Sequence, residues 1–214
     1  PSASIHDFIG FLVAQGVLKE RKFRSEKYKR SMIRYTWGNP SPLALAISLG
    51  PRSYLCHGTA ARLHGLANFD PKTIYLNIEQ SLKTSSSGKL AQASLDMAFS
   101  RQQRKSNLVY VNGDVTVTII AGKKTDRLGV EDLANPPSGT LAVTNLERTL
   151  IDITVRPAYA GGIEQVVKAY RAAKDHVSVT QLLKLLEDLD YIYPYHQAVG
   201  FLMQQAGFPA RSYN

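Results

Sequence analysis

The first forty residues constrain the fold of this chain most, because they pair a short apolar helix with a ribbon of strand-like residues. Ser4 is a suitable N-cap, and Gly16 ends the helical pattern. Between them, apolar residues recur at three- and four-residue steps, which indicates one apolar stripe: Ile5, Phe8, Ile9, Leu12 and Val13. We therefore predict a helix over residues 5–15 and an antiparallel ribbon after it, with its tip at residues 25–30.

The ribbon is densely cationic. Residues 19–34 hold eight basic and two acidic side chains, in a chain whose formal net charge is +9. The basic residues are Lys19, Arg21, Lys22, Arg24, Lys27, Lys29, Arg30 and Arg34. Such a charge density displaces counterions from phosphates. A helix followed by a basic ribbon predicts a partial winged helix-turn-helix over residues 1–38 that binds DNA through these eight side chains. Such a motif needs at least two helices before its wing and only one fits here, so either the earlier helices lie upstream of Pro1 or the motif is a different one.

Residues 39–214 predict an α+β domain, a small mixed sheet packed with a C-terminal helical cluster. Strand patterns cover residues 54–55, 73–78, 108–111, 115–120 and 140–143, and Asn112 and Gly113 predict a hairpin turn. Helix patterns cover residues 43–49, 59–64, 90–99, 145–156, 163–174, 179–189 and 195–206. Thr144 with Glu147 predicts a capping box, as does Ser178 with Gln181. Residues 83–89 predict an exposed loop.

The sequence also bounds the class of protein. No run reaches the roughly 18 apolar residues of a membrane span, and the start does not resemble a secretory signal. One cysteine, Cys56, excludes an internal disulfide and suits a reducing cytoplasm, so we expect a cytoplasmic protein that does not contact a membrane. Residues 1–130 are basic and residues 131–214 are mildly acidic, which suggests different partners at the two ends.

Histidine and cysteine provide the first candidates for chemistry. His57 and His64 flank one short helix and could share a face, but no further metal ligands accompany them. Hydrogen bonds that tie the turn together, or contact with a partner, are the alternatives. Cys56 beside His57 could suggest a nucleophile and its base, although adjacent side chains rarely align for proton transfer, so a buried thiol is the other interpretation.

Acidic, glycine-rich and aromatic patterns leave further alternatives open. Asp70, Glu79 and Lys83 loosely resemble the acid-acid-lysine site of a metal-dependent nuclease, but Ser81 stands where the lysine belongs. Gly122 and the lysines after it lack the glycine spacing of a phosphate loop. Aromatic residues near the end predict either a binding platform or a helix packed on the core: Tyr191, Tyr193, Tyr195 and Phe201.

Several phrases resemble the AbiEi family, the antitoxins and transcriptional regulators of type IV toxin–antitoxin systems, which act in abortive infection and phage defence. They are residues 54–66 (YLCHGTAARLHGL), 73–77 (TIYLN) and 143–152 (VTNLERTLID), supported by residues 34–38 (RYTWG) and by the pairs 156–157 and 161–162. The resemblance covers nearly the whole chain, and the phrase ending in residues 147–152 is its most specific part. The antitoxin-domain residues it implies are His57, Arg62, His64, Glu147, Arg148 and Asp152.

Membership would imply a DNA-binding winged helix over residues 1–38 and an antitoxin domain over residues 39–214. Such proteins repress their own operon at inverted repeats and oppose a nucleotidyltransferase-like toxin without a stable complex. We expect no catalytic residues, metal or cofactor. The alternatives are a protein-interaction module that grips an acidic partner or the toxin, and a metal-dependent nuclease. Arg148 and Asp152, four residues apart, can pair as a surface salt bridge or as a clamp between helix and sheet.

Overall fold

The fold is built on one mixed sheet with helices on its faces. A computed structural model describes residues 4–25, 27–81, 91–101, 103–134 and 139–212. Its eight strands are β1 (Leu18–Ser25), β2 (Arg30–Trp37), β3 (Tyr54–Leu55), β4 (Thr73–Glu79), β5 (Val109–Asn112), β6 (Val115–Gly122), β7 (Val130–Ala134) and β8 (Thr140–Thr144). They lie in the order β2-β1-β5-β6-β4-β3-β8-β7. The β4–β6 and β3–β8 pairs are parallel and the other pairs are antiparallel.

The helices are α1 (Ile5–Ala14), α2 (Pro42–Ile47), α3 (His57–Leu63), α4 (Gln92–Ser100), α5 (Leu146–Val155), α6 (Ile163–Ala173), α7 (Val179–Asp188) and α8 (Tyr195–Gln205). Short 3-10 turns cover Pro157–Tyr159 and Ala210–Ser212. The predicted α+β class, with a mixed sheet and a C-terminal helical cluster, is confirmed, although the sheet is larger than expected. None of the described helices is both long and apolar enough to cross a membrane.

Helix α1 forms as predicted but buries less of its surface. The Ser4 hydroxyl accepts a hydrogen bond from the Asp7 backbone N–H, and the Asp7 carboxylate accepts one from the Ser4 backbone N–H. Together the two bonds complete a capping box. The hydroxyl–carboxylate hydrogen bond within this box also holds the pKa of Asp7 below its ordinary value. The half-buried apolar residues are Ile9, Leu12 and Val13, whereas Ile5 and Phe8 are exposed. The predicted stripe is therefore only partly covered, because β1 is the main element on which α1 packs within the described residues.

The basic ribbon is an antiparallel hairpin, as predicted, and it forms one edge of the sheet. Its strand β1 pairs with β5 at Arg24 and Val111, and the Asn112 side chain donates to the Lys22 carbonyl oxygen at 2.9 Å. Phe23 is 1% exposed and packs in the same apolar cluster as the central strands. The hairpin is thus anchored on the sheet, and the division of the chain at residue 38 stays a prediction.

The second hairpin has a turn one residue later than the Asn-Gly pattern predicts. Asn112 pairs with Val115, so the two-residue loop consists of Gly113 and Asp114. Gly113 has a φ of +61°, a backbone conformation that residues with a side chain rarely adopt. Asn112 instead extends β5 and supplies the side-chain bond to β1.

The two faces of the sheet bury different side chains. One face packs aliphatic residues under α2, including Leu55, Ile74 and Leu76. Alternation along β3 and β4 turns Tyr54, Tyr75 and Asn77 to the opposite face, where a small aromatic cluster meets the 3-10 turn and α5. Parallel pairing of β3 with β8 brings this second face directly to the strand that precedes α5.

The C-terminal helices follow the predicted pattern closely. They surround an apolar cluster that contains Leu150, Tyr170, Leu182 and Leu202, all nearly inaccessible to solvent. Strand β7 was not predicted, since its sequence (VEDLA) carries two acids and little alternation. The predicted loop at residues 83–89 lies outside the described residues.

The predicted capping box at Thr144 and Glu147 is wrong. Strand β8 continues through Thr144, and the N-cap is Asn145, whose side chain accepts from the Arg148 backbone N–H at 2.9 Å. The Thr144 hydroxyl lies 2.8 Å from the Thr149 hydroxyl. Glu147 reaches a neighbouring helix instead. Ser178 caps α7 through the Gln181 backbone N–H, but its own backbone N–H donates to Glu147, so only half of the predicted capping box with Gln181 forms.

Candidate functional site

The eight predicted DNA-contact cations do not share one surface. Side chains alternate across a strand, and directly paired residues of β1 and β2 lie on the same face. The pairing puts Lys19, Arg21, Arg30 and Arg34 on the face that carries Phe23. It puts Lys22 and Arg24 on the opposite, outer face.

Three of the four inner-face cations have structural partners, whereas the buried Nε of Arg21 has none among the described residues. The Arg34 guanidinium donates to the carbonyl oxygens of Ser48 and Leu49, at 2.8 and 3.1 Å, and so ties β2 to the end of α2. Arg30 donates to the Tyr110 hydroxyl at 3.2 Å. Lys19 donates to the Asn39 side chain at 3.1 Å. These contacts hold the hairpin to the body of the protein.

Four other cations are exposed on the outer face and the tip of the hairpin: Lys22, Arg24, Lys27 and Lys29. We call them the outer cations. Within the described ranges, no ion pair joins any of them to an acid. Ile33, Tyr35 and Trp37 are exposed on the same outer face, and Trp37 is 82% exposed. The outer face therefore combines free positive charge with aromatic side chains.

A second polar group lies between the sheet and α5. Arg148 donates from Nε to the Asp152 carboxylate at 2.8 Å, and both side chains are 6% exposed. Its Nη1 donates to the Leu128 carbonyl oxygen at 2.6 Å, which links α5 to the segment before β7. The surface salt bridge is therefore the wrong alternative, and the predicted clamp is borne out in part, because Arg148 ties α5 to the loop before β7 rather than to a strand of the sheet. Burial alone would lower the pKa of Arg148, but Asp152 and two nearby tyrosines raise it above its ordinary value.

His57 is the next member of this group. It begins α3 with a φ of +49°, in the left-handed region that non-glycine residues seldom occupy. Its ring is buried edge-on against Tyr159, with 5.4 Å between centroids, and its Nδ1 has no hydrogen-bond partner. Burial lowers the pKa of His57 to about 4, and the nearby Asp152 carboxylate opposes that shift. The expected hydrogen bond from this Nδ1 is therefore absent among the described residues.

These residues line a cavity of about 90 Å³. Its walls include His57, Asn77, Lys123, Arg148, Asp152 and Arg156. Asn77 is 4% exposed, and its Nδ2 also has no partner. Gly122 is required beside it, because a Cβ there would collide with the Asn77 amide. Asn77, Lys123 and Arg156 are not among the site residues that the sequence predicts. The detectable signal was an amide on the strand face that otherwise carries threonine, tyrosine and glutamate.

Of the remaining residues that the AbiEi resemblance implies, His64 and Glu147 make structural contacts around this group. The His64 Nε2 lies 2.6 Å from the Thr144 carbonyl oxygen, which joins α3 to β8. Glu147 accepts from the Ser178 backbone N–H at 2.9 Å, which joins α5 to α7. Arg62 is half-buried in the last turn of α3, and its Nε has no partner. Of the two histidines, only His64 ties its turn in the predicted way.

Two alternatives for catalysis lose support. Cys56 is fully buried, and desolvation raises the pKa of its thiol well above the ordinary value, which disfavours the thiolate nucleophile. The Glu79 carboxylate already accepts from the Tyr54 hydroxyl, the Thr125 hydroxyl and the Arg127 backbone N–H. Lys83 lies outside the described residues, and the described residues contain no cluster of three metal-ligating side chains.

The aromatic residues near the end divide between the two interpretations. Tyr191 and Tyr195 pack edge-to-face with 5.3 Å between centroids and lie against the helical core. Phe201 is exposed on α8. Tyr191 and Tyr195 therefore fit the interpretation of a helix packed on the core. Tyr191 also lines the cavity beside Arg148.

Neither the known protein-family models nor the curated proteins contain a match to this chain.

Proposed function

We propose that this chain is an antitoxin and DNA-binding autorepressor of a type IV toxin–antitoxin operon, with the β1–β2 hairpin as the wing of a winged helix-turn-helix. The observation that carries the DNA-binding half is the set of four outer cations, which are exposed and free of acidic partners in the described chain. The resemblance of residues 54–66 and 143–152 to AbiEi proteins supports the antitoxin half.

The hairpin geometry suits a polyanion. Residues two apart on one strand face are about 6.8 Å apart, which is about twice the 3.4 Å axial step between phosphates of one DNA strand. Lys22 and Arg24 have this relation on the outer face. The inner-face contacts of Arg34 and Lys19 hold the hairpin in place, so less side-chain and backbone freedom is lost when DNA binds.

The salt dependence of DNA binding tests this assignment. Plotted against log salt concentration, the logarithm of the DNA association constant falls with a negative slope. Replacing the four outer cations by alanine should make this slope less steep by about 3.6, since each phosphate contact contributes about 0.9. A duplex from the region upstream of the gene and a scrambled duplex would be titrated by fluorescence anisotropy at several salt concentrations. Between about 50 and 200 mM salt the affinity of the variant should therefore fall about 150-fold less than that of the unmodified protein.

A matched control removes the same charge elsewhere. The control carries alanine at four exposed cations of the C-terminal region: Lys168, Lys174, Lys184 and Arg211. Its salt slope should stay within one unit of the unmodified protein. Equal slopes for the two quadruple variants would refute the hairpin assignment and leave only the effect of net charge.

The antitoxin half needs a cellular test. Expression of this chain should restore growth to cells that express a nucleotidyltransferase-like protein from the adjacent reading frame. The quadruple hairpin variant should still restore growth, because toxin antagonism is assigned to residues 39–214. Failure of the unmodified chain to restore growth would contradict this half of the proposal.

The exposed aromatic residues favour a second candidate, a protein-interaction module that binds an acidic partner. Trp37 is the single tryptophan of the chain and lies exposed beside the outer cations. Tryptophan, tyrosine and arginine are enriched at the energetic centres of protein interfaces. Trp37→Ala should weaken such a complex at high salt, whereas DNA binding alone would fade at high salt with or without Trp37.

A further inference from the structure

The cavity beneath α5 holds two polar atoms that the protein leaves unsatisfied. His57 Nδ1 and Asn77 Nδ2 are both buried and have no hydrogen-bond partner, and both residues line the cavity. A buried polar group without a partner is costly, and its persistence calls for an explanation. The left-handed backbone of His57 is a second departure from low-energy geometry at the same place.

The charges around the cavity are mostly positive. Lys123, Arg148 and Arg156 line it, and Asp152 is the only acidic side chain among its lining residues. Asp152 already pairs with Arg148, so it adds little repulsion toward an anion. No ion pair of the described residues includes Arg156, which is half-buried at the edge of the same space.

We propose that this cavity binds a phosphate group. The Asn77 amide donates from Nδ2, His57 donates from Nδ1 in the tautomer that carries its proton there, and Arg156 supplies the opposing charge. Guanidinium groups favour phosphate because their planar donors match pairs of phosphate oxygens. This site is separate from the hairpin, although three of its lining residues, His57, Arg148 and Asp152, also belong to the set that the AbiEi resemblance implies.

The neighbouring residues fit an anion better than other occupants. A cation would meet Arg156, the lining cation that no acid pairs among the described residues, and an apolar ligand would leave the two polar atoms unsatisfied. Lys123 is already fixed at this wall, because its Nζ donates to the carbonyl oxygens of Leu189 and Asp190, at 2.8 and 2.6 Å, and lies 3.9 Å from the Asp190 carboxylate. Arg156 is therefore the charge on which binding of an anion depends.

The test compares inorganic phosphate with sodium chloride at equal ionic strength. Phosphate should raise the melting temperature of the full chain, and above its Kd the rise should follow the logarithm of the phosphate concentration, since a ligand at concentration L that binds only the folded state stabilises it by RT ln(1 + L/Kd). Arg156→Gln should raise the phosphate Kd at least tenfold, whereas the exposed control Arg211→Gln should leave it unchanged. A nucleoside monophosphate is titrated in parallel. A Kd equal to that of phosphate identifies the free phosphate group as the ligand, and a Kd at least tenfold lower identifies a nucleotide.

A second measurement keeps the proposal testable if Arg156→Gln does not fold. The imidazole NMR signals of His57 should move with phosphate in the unmodified protein, while those of the exposed His176 stay in place. Unchanged His57 signals, a response that chloride reproduces, or no saturable response to phosphate or to the nucleoside monophosphate would each overturn the proposal.

Discussion

Replacing Arg148 by methionine should lower the free energy of unfolding by about 4 to 6 kcal/mol. The Arg148 Nε donates to Asp152 at 2.8 Å where both side chains are 6% exposed, so the substitution leaves a buried carboxylate without its partner. Such a loss costs about 3 to 5 kcal/mol. The Leu128 carbonyl oxygen also loses its donor, which adds about 1 kcal/mol. The total is a large part of the roughly 5 to 15 kcal/mol that stabilises a typical domain.

Urea unfolding followed by circular dichroism measures this loss. The double variant Arg148→Met/Asp152→Leu should recover about 2 kcal/mol relative to the single variant, because it removes the unpaired charge. The exposed pair of Lys72 and Asp114, 3.2 Å apart, supplies the control, and Lys72→Met should cost less than about 1 kcal/mol. A loss below 1 kcal/mol in Arg148→Met would refute the clamp as a major source of stability.

Two further predictions concern acid sensitivity and the anchoring of the hairpin. Burial lowers the pKa of His57 to about 4 from an ordinary 6.5, so the unfolded chain takes up the proton first and stability falls as the pH drops through this window. Above pH 6.5 His57 adds no pH dependence to the free energy of unfolding, and as the pH falls from 6.5 through about 4 its protonation should lower that free energy by about 3 kcal/mol. Measured by unfolding at several pH values, the variant His57→Gln should not show this fall, and a profile identical to that of the unmodified protein would contradict the prediction. Phe23→Ala should cost about 3 to 5 kcal/mol because Phe23 is 1% exposed, whereas Trp37→Ala should cost less than about 0.5 kcal/mol. Equal losses in denaturant unfolding would show that the hairpin is not anchored through Phe23.

Local pattern was sufficient for most of the helices and strands. Helix α7, for example, begins at the N-cap Ser178 and ends close to the predicted boundary, because its apolar residues repeat with the helical period. Strand β7 was missed because its acids and weak alternation carry no local strand signal, and its pairing with β8 supplies the structure. Similarly, the Asn112–Val115 pair set the position of the turn through sheet register rather than through turn chemistry.

The polar cavity was predictable only in part. Arg148 and Asp152 can be paired from their spacing of four residues, but their burial depends on the sheet that α5 covers. Asn77 and Lys123 belong to β4 and to the segment after β6, and they meet Arg156 only when β4 and β6 pair in parallel. No spacing along the sequence indicates that Asn77, Lys123 and Arg156 lie close together.

By itself, the amino-acid sequence determined the charge density of the hairpin, the period of each helix and strand, and the caps at Ser4 and Ser178, because these depend on residues close along the chain. Tertiary structure alone decided which hairpin cations hydrogen-bond to the protein, since strand alternation turns four of the eight to the inner face and three of these, Lys19, Arg30 and Arg34, have partners there. It also decided that Arg148 and Asp152 form a buried ion pair, whereas the same pair on an isolated helix would be exposed to solvent. Both outcomes arise from packing between segments distant in sequence, where burial changes the energy of a charge far more than its neighbours along the chain do.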